Sequence, residues 1–221
     1  MQETNENAVG VKQPSALRAA RETAACALRA EDRLTVAVIS YLFCVLTLFA
    51  LVFSFSALAF FFVPVSATGV ILLAVLRCGI GVLAFLGIPP LLVGRCRMMG
   101  MIAAGKNTML SELFHYFSVL RLWWRGIRIA LLLPIAFLLP PFFAAPAYAA
   151  GNEDISLRRA LALARGSVPL RTVLGFWGRA LLRLLMGGMT LGLLWLLYDA
   201  HHLTATYFAL IMRKESEETE I

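Results

Sequence analysis

The chain has 221 residues, of which 60% are hydrophobic and 15% are charged, and its formal net charge is +7. A soluble domain carries about a quarter charged residues, so this composition excludes an ordinary soluble domain and predicts an integral membrane protein. The positive charge does not point to nucleic acid, because membrane proteins concentrate Lys and Arg in loops that face the cytoplasm. The four cysteines lack the spacing of a disulfide framework or a zinc site, and no metal or cofactor is expected.

The N-terminal segment precedes any long apolar run. Residues 1–14 are polar and are predicted to be disordered. Residues 15–33 predict an amphipathic helix with Ser15 as its N-cap. Its apolar face carries Leu17, Ala20, Ala24, Ala27 and Leu28. This helix has too little apolar bulk to insert, so we expect it to lie at the membrane interface or against the other helices.

A long apolar run then predicts the first two membrane spans. Residues 34–76 contain no Asp, Glu, Lys, Arg or His, and about 20 apolar residues are enough to cross a bilayer core as a helix. We place the spans at about 34–63 and 70–93, joined by an uncharged turn. Pro89 and Pro90 predict a kink in the last third of the second span.

A loop is predicted at residues 98–108, and a second amphipathic segment follows it. The apolar side chains of this segment recur at helical spacing, at Leu110, Leu113, Phe114, Phe117 and Leu120. Two tryptophans and three arginines come next, at Trp123, Trp124, Arg121, Arg125 and Arg128. This mixture is typical of the interfacial belt that anchors the start of a span.

The stretch 122–152 decides the topology of everything that follows it. It is either one proline-broken span or two spans, 122–139 and 142–152, folded back at the double proline 140–141. Two consecutive prolines remove two backbone donors and disfavour helix in the residues before them, which favours the hairpin. The return arm is short for a span, unless the helix expected at 154–167 extends it.

The remainder of the chain repeats the same design. Residues 154–167 predict a third amphipathic helix, capped by Asp154 or Ser156. Its apolar stripe consists of Leu157, Ala160, Leu161, Ala164 and Val168. Two further apolar stretches predict spans at 172–188 and 193–212, and the charged tail 213–221 follows them.

The charge distribution favours three hairpins with both termini in the cytoplasm. In that arrangement the outer turns at 64–69, 140–141 and 188–192 carry no charge, whereas the inner segments hold most of the lysines and arginines. A single span over 122–152 would place the arginines between 158 and 171 outside, against the positive-inside bias. The sequence therefore predicts an all-α integral membrane protein of six transmembrane helices in three hairpins. Its interfacial helices would lie on the cytoplasmic side of a bacterial inner (plasma) membrane.

Ionisable residues inside the predicted spans form a candidate buried polar cluster, because charges in a membrane are costly and mark function by default. The candidates are Arg77, Arg179, Arg183, Asp199 and His202. Counted from the last turn, Arg183 and Asp199 lie at similar depth and predict an ion pair, and Arg179 is expected to face His202. Structural pairing, or snorkelling to the interface, is the alternative for each. No nucleophile lies beside a base and no third metal ligand is near, so no catalytic or metal residue is predicted.

The second half of the chain resembles a bacterial family. The segments that carry the likeness occur in the family's order: LFHYF at 113–117, LPPF at 139–142, the helix at 155–166 and TLGLLW at 190–195. They resemble the polytopic membrane proteins of the domain of unknown function 975, which is similar to the membrane domain of some glycerophosphodiester phosphodiesterases. Two departures are the double proline 140–141, where the family has Pro-Gly, and Tyr198-Asp199, where it has Pro-Tyr. The resemblance implies a six-helix membrane domain and no catalytic residues.

These observations favour a non-enzymatic multi-pass membrane module that binds lipids or a partner protein. The expected partners are membrane lipids, with a protein partner or a homo-oligomer as further options, and no nucleic acid. The alternative function is a small transporter or channel component that uses the buried Arg, Asp and His residues. An intramembrane enzyme is the least favoured class, because no nucleophile with its base can be identified.

Overall fold

The computed structural model describes residues 16–30, 32–61, 66–189, 192 and 195–219. Every regular element in these ranges is a helix, which confirms the all-α class. The α-helices are α1 (Ala16–Arg29), α2 (Arg33–Phe61), α3 (Ala67–Ala103), α4 (Leu120–Leu138), α5 (Ala145–Gly151), α6 (Leu157–Ala164), α7 (Leu170–Met189) and α8 (Ala200–Thr219). Two 3-10 helices cover Leu110–Phe117 and Pro140–Phe142, and a π-helical turn covers Trp195–Asp199. The disorder expected at 1–14 and the cap at Ser15 lie outside the described residues, as do parts of the predicted turns 64–69 and 188–192 and the span ends at 62–63 and 193–194.

Two of the described helices are long and apolar enough to cross a membrane, α2 over Arg33–Leu58 and α3 over Ala67–Ala103. At 1.5 Å per residue, α2 is about 43 Å long, against about 30 Å for a bilayer core. Few residues of either helix are buried inside the protein. Phe49, Phe60 and Phe61, for example, are 65%, 83% and 85% exposed. An apolar surface of this extent is a contact surface for a membrane or a partner.

The first helix uses the face that the sequence predicts. The buried residues of α1 are Leu17, Ala20, Ala24 and Leu28. The helix packs mainly on α8, which is one of its two expected positions, against the other helices. Alanine at the contact lets two helix backbones approach closely, so α1 is held by packing within the protein.

The third helix runs further than the sequence predicts. The expected end at residue 93 was wrong, because α3 continues to Ala103. The loop predicted at 98–108 is confined to its second half, 104–108. Met98, Met99 and Ile102 have no exposed surface and belong to the main hydrophobic core. Their burial stabilises three further turns of helix, whereas the sequence reading ended the span at its first polar residues.

The helix α3 continues through Pro89 and Pro90, and a neighbouring side chain replaces one of the two hydrogen bonds that these prolines remove. Pro90 has no N–H, so the carbonyl of Leu86 loses its helical partner. The indole Nε1 of Trp123 donates a hydrogen bond to that carbonyl at 3.1 Å. Trp123 on α4 therefore completes the hydrogen bonding of α3 at the proline, in addition to its expected place in an aromatic belt.

The second amphipathic segment is a 3-10 helix, Leu110–Phe117, and its predicted apolar stripe is mostly not the buried face. Leu113 and Tyr116 are buried, whereas Phe114 and Phe117 are 43% and 42% exposed. The backbone of this segment packs directly on α3, since the main chain of Leu113 approaches α3 closely at Gly94. The 3-10 turn replaces the regular i, i+3, i+4 contacts on which the prediction depended.

Tyr116 fixes this segment to the chain beyond α4. Its hydroxyl donates to the carbonyl of Ala150 at 3.3 Å. Burial raises the pKa of Tyr116 to about 12, so the hydroxyl keeps its proton and remains a donor at neutral pH.

The double proline ends α4 as predicted. Leu138 is the last helical residue, Leu139 is extended with φ −111° and ψ 101°, and Pro140–Phe142 form a 3-10 turn. The chain then turns back along α4. This reversal is shown by Arg125, near the start of α4, which donates a hydrogen bond to the carbonyl of Asn152 just after α5.

The predicted return arm, 142–152 extended by 154–167 into one helix, was wrong. α5 ends at Gly151, Asn152 is extended, and α6 begins at Leu157 with Ser156 as its cap. Ser156 Oγ accepts from the backbone N–H of Arg159 at 3.3 Å, and this cap begins a separate helix instead of continuing α5. With seven residues, α5 spans only about 10 Å, a third of a bilayer core.

Two glycines, Gly187 and Gly192, form the contact at the turn that follows α7. The N–H of Gly192 donates to the carbonyl of Gly187 at 2.7 Å, and Gly192 has φ +80°, a conformation that glycine adopts without strain. α7 covers the predicted span 172–188. The predicted span 193–212 contains the π-helical turn and most of α8, which continues to Thr219 and so into the predicted tail.

Candidate functional site

The predicted ion pair between α7 and the turn before α8 is present. Arg183 Nη1 lies 3.2 Å from Asp199 Oδ1, and the two side chains are only 22% and 14% exposed. Asp199 is the last residue of the π-helical turn, which places its carboxylate across from α7. The depth count from the intervening turn was therefore sufficient to predict this contact.

Of the other candidates, His202 lies near that pair and interacts electrostatically with both Arg183 and Asp199. His202 is buried, and its ring lies 3.9 Å from the ring of Tyr198. Arg179 is exposed, and no contact with His202 is found among the described residues. Arg77 lies on α3, half-buried, with its guanidinium 5.8 Å from the ring centroid of Phe55 on α2.

A buried arginine that the sequence reading did not single out lies deeper in the bundle. Arg95 is 8% exposed, and its guanidinium is 4.8 Å from the ring centroid of Tyr41, a cation–π distance. Arg95 Nη2 donates to Nδ1 of His201 at 3.4 Å, since an arginine can only donate. Residue 95 carries no pattern of its own in the sequence, where it reads as the polar end of a span.

A second missed group joins three segments of the chain. Arg97 Nε bonds Glu112 Oε2 at 3.3 Å, and Arg97 Nη1 bonds Glu153 Oε1 at 2.7 Å. Nε2 of His115 donates to the same oxygen of Glu153 at 2.7 Å. Burial acts to raise the pKa of Glu153, but the hydrogen bond from His115 and the charge of Arg97 outweigh it and hold that pKa below its usual value. Glu153 is therefore an anion at neutral pH, already paired.

Arg125 acts as a clamp for the chain after α5. Its Nη2 donates to three backbone carbonyls, those of Ala149 at 3.1 Å, Asn152 at 2.8 Å and Ile155 at 2.8 Å. The last carbonyls of a helix have no partner within the helix and carry partial negative charge. The guanidinium satisfies one of them and two more in the following turn, so it fixes the α5–α6 turn against α4.

An open cleft of about 1200 Å³ lies between the start of α4 and the α5–α6 turn. Four arginines line it, Arg121, Arg125 and Arg128 from α4 and Arg158 from α6, together with Trp124, Glu153 and Asp154. The three arginines of α4 are spaced i, i+4 and i+7, so they project from one face of the helix. Helical spacing is the sequence signal for this site, although the same arginines also match the interfacial belt expected at the start of a span.

Three of these arginines are free to bind a ligand. Arg121, Arg128 and Arg158 are exposed and make no hydrogen bond or ion pair within the part of the chain that the structure describes. Arg125 and Glu153 already have partners. The cleft therefore offers unpaired guanidinium groups, which bind phosphate and carboxylate oxygens bidentately.

Among the described residues, no group of three or more His, Cys, Asp or Glu side chains is placed to hold a metal ion. The candidate ligand site is therefore the cleft lined by the free arginines Arg121, Arg128 and Arg158. Comparison of the chain with protein-family models, with curated proteins and with solved structures finds no match.

Proposed function

We propose that the protein is a multi-pass membrane protein with both termini in the cytoplasm of a bacterial cell, and that it binds anionic phospholipid through the arginine-lined cleft. The proposed hairpins are α2–α3, α4 with the short α5 arm, and α7–α8. The α5 arm would be re-entrant, because about 10 Å of helix cannot cross the membrane, and its return leaves the sidedness of later segments unchanged.

Contacts between the polar ends of the helices support this topology. Arg33 Nη2, at the start of α2, donates to the carbonyl of Gly105 at 2.9 Å and to Asn107 Oδ1 at 3.0 Å, just after α3. The contact of Arg125 with Asn152 joins the start of α4 to the end of its return arm at 2.8 Å. Basic residues thus accompany each of these ends, in keeping with the positive-inside bias.

The topology predicts which positions a membrane-impermeant thiol reagent labels on intact cells. In a cysteine-free background, Ala67→Cys and Met189→Cys, both exposed at outer turns, are expected to react. Arg159→Cys, exposed at the start of α6, is expected to react only after the cells are opened. Labelling of Arg159→Cys on intact cells would place α6 outside and contradict the re-entrant hairpin.

The observation that carries the lipid-binding proposal is the set of free guanidinium groups in the cleft, Arg121, Arg128 and Arg158. Basic pockets on the cytoplasmic side of membrane helices bind anionic headgroups, and each basic residue near the surface contributes about 1 kcal/mol. Trp124 lines the same cleft, and tryptophan prefers the level of the headgroups.

The binding test compares two variants of equal charge. The full chain, purified in detergent, is titrated with vesicles of phosphatidylcholine containing phosphatidylglycerol. Replacing Arg121, Arg128 and Arg158 by glutamine is expected to weaken binding by about tenfold or more. The control variant replaces by glutamine three arginines that are exposed outside the cleft: Arg21, Arg159 and Arg171. It is expected to bind within about twofold of the parent chain. Equal losses in both variants would mean that only net charge matters, and the cleft proposal would fail.

The alternative, a transporter component, depends on charges inside the spans. The side chains of Arg183 and Asp199 lie 3.2 Å apart, and Arg179 is exposed. This geometry supports the structural alternative for these residues, so transport is not proposed.

A further inference from the structure

We infer that the cleft selects a lipid with two phosphodiesters in one headgroup over a lipid with one, because its free arginines occupy two separated positions on α4 and face a third across the cleft. This inference rests on the proposed lipid binding and adds the class of lipid. It concerns Arg121, Arg128 and Arg158, with Glu153 and Asp154 as the acidic residues of the same wall.

The charges of the wall give the first argument. Arg125 is committed to three carbonyls, and Glu153 is committed to Arg97 and His115. Counted over the side chains that line the cleft, four arginines (Arg121, Arg125, Arg128 and Arg158) stand against two carboxylates (Glu153 and Asp154), which leaves an excess of two positive charges. A headgroup with two monoanionic phosphodiesters neutralises this excess, whereas a single phosphodiester leaves half of it.

The spacing of the arginines gives the second argument. Arg121 and Arg128 lie on one face of α4, seven residues apart, which separates their Cα atoms by about 10 Å along the helix. Each guanidinium forms its best contact with phosphate as a bidentate pair. Two separated forks therefore fit two phosphates better than one, and Arg158 on α6 closes the opposite side.

The size of the cleft agrees with a large headgroup. Its volume of about 1200 Å³ exceeds the roughly 300–1,000 Å³ of an ordinary small-molecule site. Val119, Leu122 and Leu157 line it beside the arginines, which provides apolar contact for the glycerol and upper chain carbons of a lipid. A free inorganic phosphate would leave this apolar wall and most of the volume unused.

The experiment compares cardiolipin, which has two phosphodiesters, with phosphatidylglycerol, which has one. Phosphatidylcholine vesicles contain cardiolipin at half the molar fraction of phosphatidylglycerol, so that the phosphate charge is equal. The full chain is expected to bind the cardiolipin vesicles about tenfold or more tightly, because the second phosphate is held near its arginine once the first is bound. Arg121→Gln and Arg128→Gln are each expected to abolish the preference, because each removes one of the two phosphate positions, and to weaken binding to phosphatidylglycerol by about fivefold. Arg159→Gln, outside the cleft, is expected to keep the preference.

The outcomes separate this inference from the proposed function. Equal binding of both vesicles, with loss in the variant that lacks all three free arginines, would overturn the two-phosphate selectivity and leave anionic lipid binding in place. Binding that is unaffected by that triple variant would overturn both. Displacement of the cardiolipin vesicles by equimolar inorganic pyrophosphate would overturn the assignment to a lipid, since pyrophosphate offers two phosphates without chains.

Discussion

Replacing Gly94 by alanine is expected to destabilise the protein by about 2–3 kcal/mol, the cost of forcing an extra methyl group into a packed contact. A Cβ at this position would overlap the carbonyl oxygen of Leu113 and lie 2.9 Å from its carbonyl carbon and 3.3 Å from the carbonyl oxygen of Glu112. These are backbone atoms, so no side-chain rotation can relieve the overlap. The free energy of unfolding, from loss of helical circular dichroism during titration with a denaturing detergent, measures the effect.

A glycine on the same helix provides the matched control. Gly81 has no atom within 4 Å of the position that a Cβ would take. Gly81→Ala is therefore expected to be neutral, or to stabilise by up to about 1 kcal/mol through helix propensity. If the two alanine variants unfold at the same detergent fraction, the close approach of α3 to the Leu110–Phe117 segment is not a constraint on the fold.

Local chemistry was sufficient to predict several features of the fold. The alanine and leucine spacing of α1 predicted its buried face, and the double proline predicted the end of α4 to within one residue, at 139 against the observed Leu138. Ser156 was one of two predicted caps and is the one used. Each of these depends on residues within a turn or two of one another, which is the range over which periodicity, capping and proline sterics act.

Features that depend on distant contacts could not be predicted in this way. α3 continues to Ala103 because Met98, Met99 and Ile102 are buried by other elements, and burial of this kind overrides a local polar signal. The acceptor left by Pro90 is satisfied by Trp123 from another helix. No local pattern in the sequence predicts the extension of α3 or the hydrogen bond from Trp123.

The same distinction between local and distant contacts applies to the candidate site. The pairing of Arg183 with Asp199 was predictable, because both residues lie within one hairpin and their depth can be counted from the turn. The cleft was not, since Arg158 on α6 meets the arginines of α4 only because the return arm is short. Arg125 determines this geometry through its three carbonyl contacts, and such contacts leave no trace in the residue pattern.

Breaking the ion pair between Arg183 and Asp199 is the second large effect that we expect. Removal of one partner leaves the other charge poorly solvated, at a cost of about 3–5 kcal/mol for a buried pair. The side chains here are 22% and 14% exposed, so about 3 kcal/mol is expected for Arg183→Gln or Asp199→Asn alone. Unfolding in a denaturing detergent measures each variant.

The double variant distinguishes a paired charge from a merely polar position. Replacing Arg183 by methionine and Asp199 by leucine together removes both charges and keeps apolar volume, so it is expected to cost less than either single change. A double-mutant cycle built from Arg183→Met, Asp199→Leu and their combination should then give a coupling of about 3 kcal/mol or more. Arg179→Gln, one turn earlier on α7 and exposed, is the control and should change stability by less than about 0.5 kcal/mol. Equal costs for Arg179→Gln and Arg183→Gln would mean that the pair adds nothing, and that any basic residue on this face of α7 reaches water on its own. A large coupling would instead identify the pair as the contact that holds α7 against the π-helical turn before α8.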